Sequence, residues 1–342
     1  MMTILIYKYG LSFLWAFIIA LFAIPSIINL AYKKRLLDVP NGRNVHQGDI
    51  PRLGGLAIFA GFFSSVMIFS DFSTGGGVQY LLAGLILLFF IGLKDDVKPV
   101  SAFKKFFVQV LCCCIIMFLG DVRIESFYGL LGVFALDEGL SYLFTFLVLV
   151  GLTNSINLID GVNGLAGTIV VIISVFLGLV LVLYQSPLAI VSFALVGAMI
   201  GFLRYNLFSG KIFMGDTGSL VSGFVVSVLA VSTLQIPENE FSPVYVLSVF
   251  SLPILDTLRV MIIRTLQGVS PFTPDKRHLH HVLVKSGMSH PRIVTVTILI
   301  NVVMILSIWL IRDMDIHIQF SVWLAEALLL LAVIWYLDKR YA

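Results

Sequence analysis

The hydrophobic residues of this chain fall into long runs that short polar segments separate. A helix needs roughly 20 apolar residues to cross about 30 Å of hydrocarbon, and lipid offers no partner for an unpaired backbone group. The pattern predicts an all-α polytopic membrane protein with about eleven transmembrane helices. Its spans lie near residues 11–31, 53–70, 78–93, 103–120, 140–153, 165–184, 187–203, 217–236, 243–263, 293–311 and 318–337. No interior loop is long enough for a second domain, so residues 1–342 form one membrane domain.

Composition agrees with this class of protein. The chain is 59% hydrophobic and 12% charged, and its mean hydropathy is +1.04, which excludes an ordinary soluble protein. Its three cysteines, Cys112 to Cys114, are consecutive within an apolar run. Consecutive helical positions point in different directions, so we interpret these cysteines as packing residues rather than metal ligands.

The basic residues predict the topology. When Lys and Arg are assigned to alternate connections, all but three of the 22 fall on one side. The three exceptions are Lys8, Arg123 and Arg312. The positive-inside rule places the rich side in the cytoplasm, the N-terminus outside and the C-terminus inside. This basic face favours anionic headgroups and anionic substrates.

The chemically distinctive motifs fall at span ends on this predicted cytoplasmic face. Asp95 and Asp96 end the third span among several lysines; such a pair indicates a bound cation, a shared proton or a solvated loop. The fifth span leads into T-N-S-I-N-L-I-D-G-V-N-G, residues 153–164. Its polar residues recur every three positions, and on a helix they would form one face suited to a ligand or metal. The alternative is a capping and turn sequence. These residues are Asn154, Asn157, Asp160 and Asn163.

Two further motifs combine acidic, basic and aromatic residues. F-M-G-D-T-G-S, residues 213–219, opens the eighth span and is either a helix cap or a site for a nucleotide diphosphate and a cation. Its candidates are Phe213, Gly215 and Asp216. S-P-F-T-P-D-K-R-H-L-H-H, residues 270–281, carries three histidines and two cations, which suit pyrophosphate or a metal. The companion carboxylates favour Mg²⁺ over zinc. The first loop adds Arg52 to the anion-binding surface.

Two acidic residues fall within spans, where a charge is unfavourable by about 2.5–3.5 kcal/mol or more. Asp256 precedes Arg259 by three residues, so we expect an ion pair on one helix face. Glu326 has no obvious partner in the sequence.

Taken in order, G-L-K-D-D, T-N-S-I-N-L-I-D-G-V-N-G-L, F-M-G-D-T-G-S and S-P-F-T-P-D-K-R-H-L-H-H resemble the motifs of the polyprenyl-phosphate N-acetylhexosamine-1-phosphate transferases. The histidine motif resembles the WecA/TagO-like branch, which starts O-antigen, enterobacterial common antigen or teichoic acid synthesis, more than the branch that starts peptidoglycan. The resemblance covers roughly residues 13–310. It implies a bacterial inner-membrane enzyme with a cytoplasmic site, no nucleic-acid partner and a possible homodimer.

The resemblance also implies the reaction. Undecaprenyl phosphate would attack the β-phosphate of a UDP-N-acetylhexosamine, most simply UDP-GlcNAc, with Mg²⁺ (or Mn²⁺) present and UMP released. Asp95 and Asp96 would be the catalytic pair, with Asp95 the base, and Asp160 would support the centre. Asp216 and Asn157 would hold Mg²⁺. The substrate-binding candidates are Asn154, Asn163, Phe213, Gly215, Arg52, Lys105, Lys276, Arg277, His278, His280 and His281.

One departure from the family pattern concerns Asn163. Many members carry D-G-x-D-G where this chain has D-G-V-N-G, so a metal role at position 163 is weakened, while nucleobase contact by the amide is not. Two other functional classes are open at this stage. A transporter would place polar residues mid-span in two pseudo-repeated halves, which the chain does not show. A metal-dependent hydrolase would need zinc-type ligand spacing.

Overall fold

The computed structural model describes residues 2–37, 50–72, 77–236, 241–270 and 277–341, and this part of the chain is helical apart from its connections. In chain order the helices are α1 (Met2–Lys34), α2 (Gly54–Phe69), α3 (Val78–Val97), α4 (Ala102–Cys114), α5 (Glu138–Ile159), α6 (Leu165–Leu183), α7 (Leu188–Asn206), α8 (Gly215–Leu234), α9 (Pro243–Val249), α10 (Ser251–Leu266), α11 (Leu279–Lys285), α12 (His290–Leu310) and α13 (Ile316–Tyr341). A π-helical turn, Ile115–Leu119, continues α4. An isolated β-bridge joins Ser126 and Ala135.

Every predicted span coincides with a helix or a pair of helices, which confirms a polytopic membrane protein. Among the described residues, nine helices are long and apolar enough to cross a membrane, and the bent pair α9–α10 would make a tenth. α2 has only 16 residues, about 24 Å of helix, which is less than the hydrocarbon thickness. The count of eleven spans and their direction stay predictions.

The ninth predicted span, 243–263, is wrong as a single continuous helix. α9 and α10 meet at a bend of 78°. Pro253 lacks the N–H that would bond to the carbonyl of Val249, four residues earlier. That carbonyl accepts instead from the side chain of Asn301 at 3.2 Å, and Trp323 donates to Ser251 at 2.8 Å. Side chains from α12 and α13 therefore satisfy the polar groups that the break exposes, as lipid requires.

α8 is the central helix of the bundle. Its apolar window is completely buried, and it packs against α2, α3, α5 and α6. Glycines allow some of these close approaches; Gly92 on α3, for example, lies against the backbone of Thr217 on α8. The packing brings the C-terminal ends of α3 and α5 to the N-terminal end of α8, so the predicted motifs of all three helices meet at one end of the bundle.

Candidate active site

The α3 end is fixed to the first turn of α8 through Asp96. One oxygen of this carboxylate accepts from the backbone N–H of Asp216 at 2.7 Å. The other accepts from both the backbone N–H and the hydroxyl of Thr217, at 3.0 and 2.5 Å. A helix N-terminus leaves N–H groups without partners inside the helix, and a carboxylate satisfies them. Both oxygens of Asp96 therefore accept hydrogen bonds that hold α3 against α8.

Asp95, the adjacent carboxylate, makes fewer hydrogen bonds. It accepts from the backbone of Val100 at 2.7 Å and lies 3.4 Å from the ammonium of Lys105. Lys105 is itself closer to Asp216, at 2.7 Å. The lysine thus bridges two carboxylates on different helices, and all three side chains remain partly exposed. The structure brings together the predicted residues Asp95, Asp96, Lys105 and Asp216.

The polar stripe of α5 forms only in part. α5 ends at Ile159, so Asn154 and Asn157 are helical while Asp160 lies at the C-cap. The chain then turns, and Gly164 takes a left-handed conformation before α6 begins. Asn163 is therefore not on the predicted helix face, because the Gly161–Gly164 turn carries it across to Gly210 in the α7–α8 connection.

The two helical asparagines have different surroundings. Asn157 donates to Ser219 on α8 at 2.7 Å, beside the carboxylate cluster. Asn154 exchanges two hydrogen bonds with the buried Gln109 of α4, at 2.8 and 3.2 Å, and also donates to the backbone of Val150. These bonds occupy the Asn154 amide in joining α4 to α5, so its substrate-binding role stays a prediction without further support.

Asp160 completes an acidic cluster. Burial, together with the charges of Asp216 and Asp96, raises the pKa of Asp160 to about 7, and the positive charge of Arg52 only partly opposes this. The cluster gathers four carboxylates, with Lys105 and Arg52 as the basic side chains identified near them. It is therefore a region where a further cation, or a proton, lowers the electrostatic energy.

Gly215 shows how closely the segments approach one another. Its φ is +70°, and a Cβ there would lie 2.2 Å from the carbonyl oxygen of Arg52 and 2.6 Å from Asp96. Residues 51–55 pair with residues 213–214 through three backbone hydrogen bonds of 2.8–2.9 Å. This pairing places Phe213, half-buried, and the exposed side chain of Arg52 at the rim of the cluster.

The histidine motif reaches the same region from α11. A Cβ at Gly161 would lie only 2.2 Å from Nε2 of His280, so this ring rests on the turn beside Asp160. Burial, with a contribution from His281, lowers the pKa of His280 to about 3, so the ring is neutral at pH 7. The rings of His278 and His280 are nearly parallel, and those of His280 and His281 lie 4.2 Å apart. Arg277 adjoins them, whereas Lys276 lies outside the described residues, as does the first-loop segment 38–49.

Several residues that position the site were not predicted. Asn206 accepts from the backbone of Gly164 at 2.6 Å and donates to that of Ile212 at 2.8 Å. It is buried, and it ties the D-G-V-N-G turn to the approach to F-M-G-D. Thr217 and Ser219 hold the first turn of α8 in a similar way. The sequence gives little indication of these roles, because each depends on a contact with a segment that is distant in the chain.

Both in-span acidic residues have partners. Asp256 pairs with Arg259 at 3.2 Å, which confirms the predicted ion pair, and also contacts His278 at 2.9 Å. Glu326 accepts from Ser307 of α12 at 3.0 Å.

Metal ligation has no preformed cage here. Within the described residues, no three His, Cys, Asp or Glu side chains are arranged to hold a metal ion. Magnesium sites on nucleotides commonly use one or two carboxylates together with substrate phosphates. Asp216 and Asn157 offer such a partial set of hard oxygen donors, and the acidic cluster around them suits a divalent cation. The residues present therefore fit the ion.

Comparisons with known proteins agree with this geometry. A model of the family described as glycosyl transferase family 4 matches residues 78–234, from α3 through α8. A probable undecaprenyl-phosphate N-acetylglucosaminyl 1-phosphate transferase from Bacillus subtilis is 34% identical, over 90% of this chain and 87% of its own length.

Two further relatives give the same result. A decaprenyl-phosphate N-acetylglucosaminephosphotransferase from Mycobacterium tuberculosis is 34% identical, over 83% of this chain and 77% of its own. An undecaprenyl-phosphate alpha-N-acetylglucosaminyl 1-phosphate transferase from Escherichia coli K12 is 31% identical, over 76% of this chain and 72% of its own. With the resemblance seen in the motifs thus confirmed, the chain belongs to glycosyl transferase family 4, alongside these polyprenyl-phosphate sugar-phosphate transferases.

Proposed function

We propose that this protein transfers N-acetylhexosamine-1-phosphate, with GlcNAc as the expected sugar, from a UDP-sugar to undecaprenyl phosphate and releases UMP. The product would start a surface glycan of the O-antigen, enterobacterial common antigen or teichoic acid type. The observation that carries the proposal is the Asp95–Lys105–Asp216 bridge beside Asp160, in a chain related over most of its length to enzymes named for this reaction.

The reaction joins two phosphate groups that repel each other. An oxygen of the lipid phosphate attacks the β-phosphorus of the donor, the bond from that phosphorus to the bridging oxygen breaks, and UMP leaves with that oxygen. Positive charge must therefore surround the reacting phosphates. Lys105 supplies an ammonium among the carboxylates, and Arg52 supplies a guanidinium group at the rim. Arg277, next to the histidines in the chain, is assigned to the donor diphosphate.

We assign different roles to the two adjacent aspartates. Asp96 holds the α3–α8 contact through three hydrogen bonds, so Asp95 is the carboxylate with acceptor capacity left for substrate. We assign Asp95 to receive a proton from the lipid phosphate or to orient it. Asp160 shapes the field at the same point, and Phe213 and Asn163 are assigned to the uracil.

Mg²⁺ would be held by Asp216 and Asn157, and it would neutralise the donor pyrophosphate when bound. Lys105 pairs with Asp216 at 2.7 Å, and with Asp216 engaged by the cation its ammonium would be available to phosphate. Manganese would substitute, since it accepts the same oxygen donors.

The location of the site follows from its substrates. The acceptor is dissolved in the membrane and the donor is water-soluble, so the site has to lie at a membrane interface. We place it at the cytoplasmic face of the bacterial inner membrane, in line with the basic-residue asymmetry. A homodimer is compatible with this arrangement and is not required by it.

The donor is tested directly with purified protein, undecaprenyl phosphate, Mg²⁺ and separate UDP-sugars, following UMP release. We expect turnover with UDP-GlcNAc and much less with UDP-glucose, which lacks the N-acetyl group. Turnover with another UDP-HexNAc alone would change the sugar and keep the reaction. No UMP from any donor would overturn the proposal and favour the transporter class.

A further inference from the structure

A buried carboxylate outside the acidic cluster holds the histidine motif. Asp256 on α10 is 3% exposed. One of its oxygens accepts from the backbone N–H of Leu279 at 2.7 Å and from Arg259 at 3.2 Å. The other lies 2.9 Å from Nδ1 of His278. Both oxygens of this charge are therefore used within the segment that carries the motif.

The arrangement fixes which nitrogen of His278 carries the proton. An ionised carboxylate only accepts hydrogen bonds, and the pairing with Arg259 favours the ionised form. The 2.9 Å contact therefore requires a proton on Nδ1 of His278. Nε2 is the ring nitrogen left for a substrate, and its role is set by a hydrogen bond on the opposite side of the ring.

The same network reaches the candidate active site. The His278 ring lies parallel to that of His280, with centroids 5.9 Å apart. His280 in turn rests on Gly161, beside Asp160. Arg259 also donates to the backbone carbonyl of Arg277, which anchors the start of the motif. Asp256 thus connects α10, beyond the bend, to the turn that closes the acidic cluster.

We propose that Asp256 is a positioning residue that acts through His278. It keeps His278 in the Nδ1–H form and seats the histidine motif against the Gly161 turn, so that Nε2 of His278 faces the sugar-diphosphate donor. The proposal rests on the transferase function proposed above, since His278 matters to catalysis only if the motif binds that donor.

Asp256→Asn is the informative variant, because the structure dictates how the amide sits. Its oxygen stays where two donors, Leu279 and Arg259, converge, and its NH₂ replaces the oxygen that faces His278. An NH₂ group there forces the Nδ1 lone pair towards it and moves the proton to Nε2. The exposed Asp313, 3.9 Å from Arg312, provides a matched Asp→Asn control away from the site.

We expect Asp256→Asn to lower kcat by about 100-fold or more, as wrong-tautomer substitutions do, with the KM for undecaprenyl phosphate nearly unchanged. Asp313→Asn should keep wild-type activity. In a His278→Gln background, Asp256→Asn should cause little further loss, because residues acting as one unit are not additive. Near-normal kcat in Asp256→Asn, or losses that multiply in the double variant, would overturn the proposal.

A second readout is independent of turnover. With ¹⁵N-labelled histidine, the His278 signals are identified as those missing in His278→Gln. Wild-type protein should show a protonated Nδ1, and Asp256→Asn a protonated Nε2. An unprotonated Nδ1 in the wild type refutes the Asp256–His278 arrangement, even if the variant does not fold. Absence of wild-type turnover with every donor would instead count against the transferase function, while the spectrum would still decide this contact.

Discussion

The adjacent aspartates Asp95 and Asp96 should respond very differently to the same substitution. Asp96 accepts hydrogen bonds at both oxygens, from Asp216 and twice from Thr217. Asparagine retains only one acceptor oxygen. Whichever way the amide turns, a backbone N–H of the first turn of α8 then faces an NH₂ group.

The size of the effect follows from this geometry. A lost hydrogen bond to a charged group, with a donor left unsatisfied, destabilises a protein by about 1.5–3 kcal/mol. Losing the carboxylate at a helix N-terminus adds about 0.3–1 kcal/mol. Asp96→Asn should therefore lower the free energy of unfolding by about 2–4 kcal/mol. At an unfolding entropy of about 2.1 cal/mol/K per residue, 1 kcal/mol shifts the midpoint of a chain of 342 residues by about 1.4 °C, so the midpoint should fall by about 3–6 °C.

Asp95→Asn provides the matched comparison. Its amide oxygen can keep the 2.7 Å bond from Val100, and only the long 3.4 Å contact with Lys105 is lost. That pair is partly solvated, so its loss should change stability by less than about 1 kcal/mol. If Asp95 handles the substrate proton, activity should still fall by about 10²–10⁴-fold.

A thiol-reactive fluorophore can follow unfolding in detergent at a fixed heating rate, because Cys112 and Cys113 are fully buried until the helices separate. Cys114, which is partly exposed, is changed to Ser in every sample to remove background labelling. Activity is measured on the same preparations. Equal midpoint shifts in the two variants, or a wild-type midpoint for Asp96→Asn, would refute the division between a structural and a chemical aspartate.

Three other predictions test separate parts of the account. Gly215→Ala should abolish activity and reduce folded yield, because its Cβ would clash with Arg52 and Asp96. Gly268 has a similar φ of +68° but open space around it, so Gly268→Ala should cause only backbone strain of about 1 kcal/mol. Because the pKa of His280 is low in the folded state, the unfolded chain binds a proton between pH 7 and pH 5 that the folded chain does not. The free energy of unfolding should therefore fall by about 1–2 kcal/mol over this range. His280→Gln should remove this loss, and an unchanged pH slope in the variant would disprove the explanation. EDTA should stop turnover and Mg²⁺ or Mn²⁺ should restore it, and EDTA-resistant turnover would exclude the metal role of Asp216 and Asn157.

The helices were predictable because their signal is local. A membrane-spanning helix requires a long apolar run, and each run coincides with a helix or, at 243–263, with the bent pair α9–α10. Pro253 is a sequence signal for the bend between α9 and α10. The residues that stabilise the bend have no such local signal. Asn301 and Trp323, which satisfy the broken segment, are about 50 and 70 residues away in sequence.

The sequence predicted the motifs that form the candidate site but not the separate role of each residue within them. Asp95 and Asp96 look equivalent in sequence, and the hydrogen bonds from Asp216 and Thr217 in the first turn of α8 distinguish Asp96. Asn154 and Asn157 share one helix face, yet Gln109 occupies one and Ser219 contacts the other. Such roles depend on which distant segment packs nearby, and hydrophobic periodicity does not carry that information.

The most direct test of the central claim uses UDP-GlcNAc labelled with ³²P at the β-phosphate, together with purified protein, undecaprenyl phosphate and Mg²⁺. Transfer of a sugar phosphate predicts that the label enters the lipid fraction in a one-to-one ratio with the UMP released. Label retained in UDP would mean transfer of the sugar alone. Label in water-soluble sugar phosphate would mean hydrolysis, and either result would contradict the proposed function.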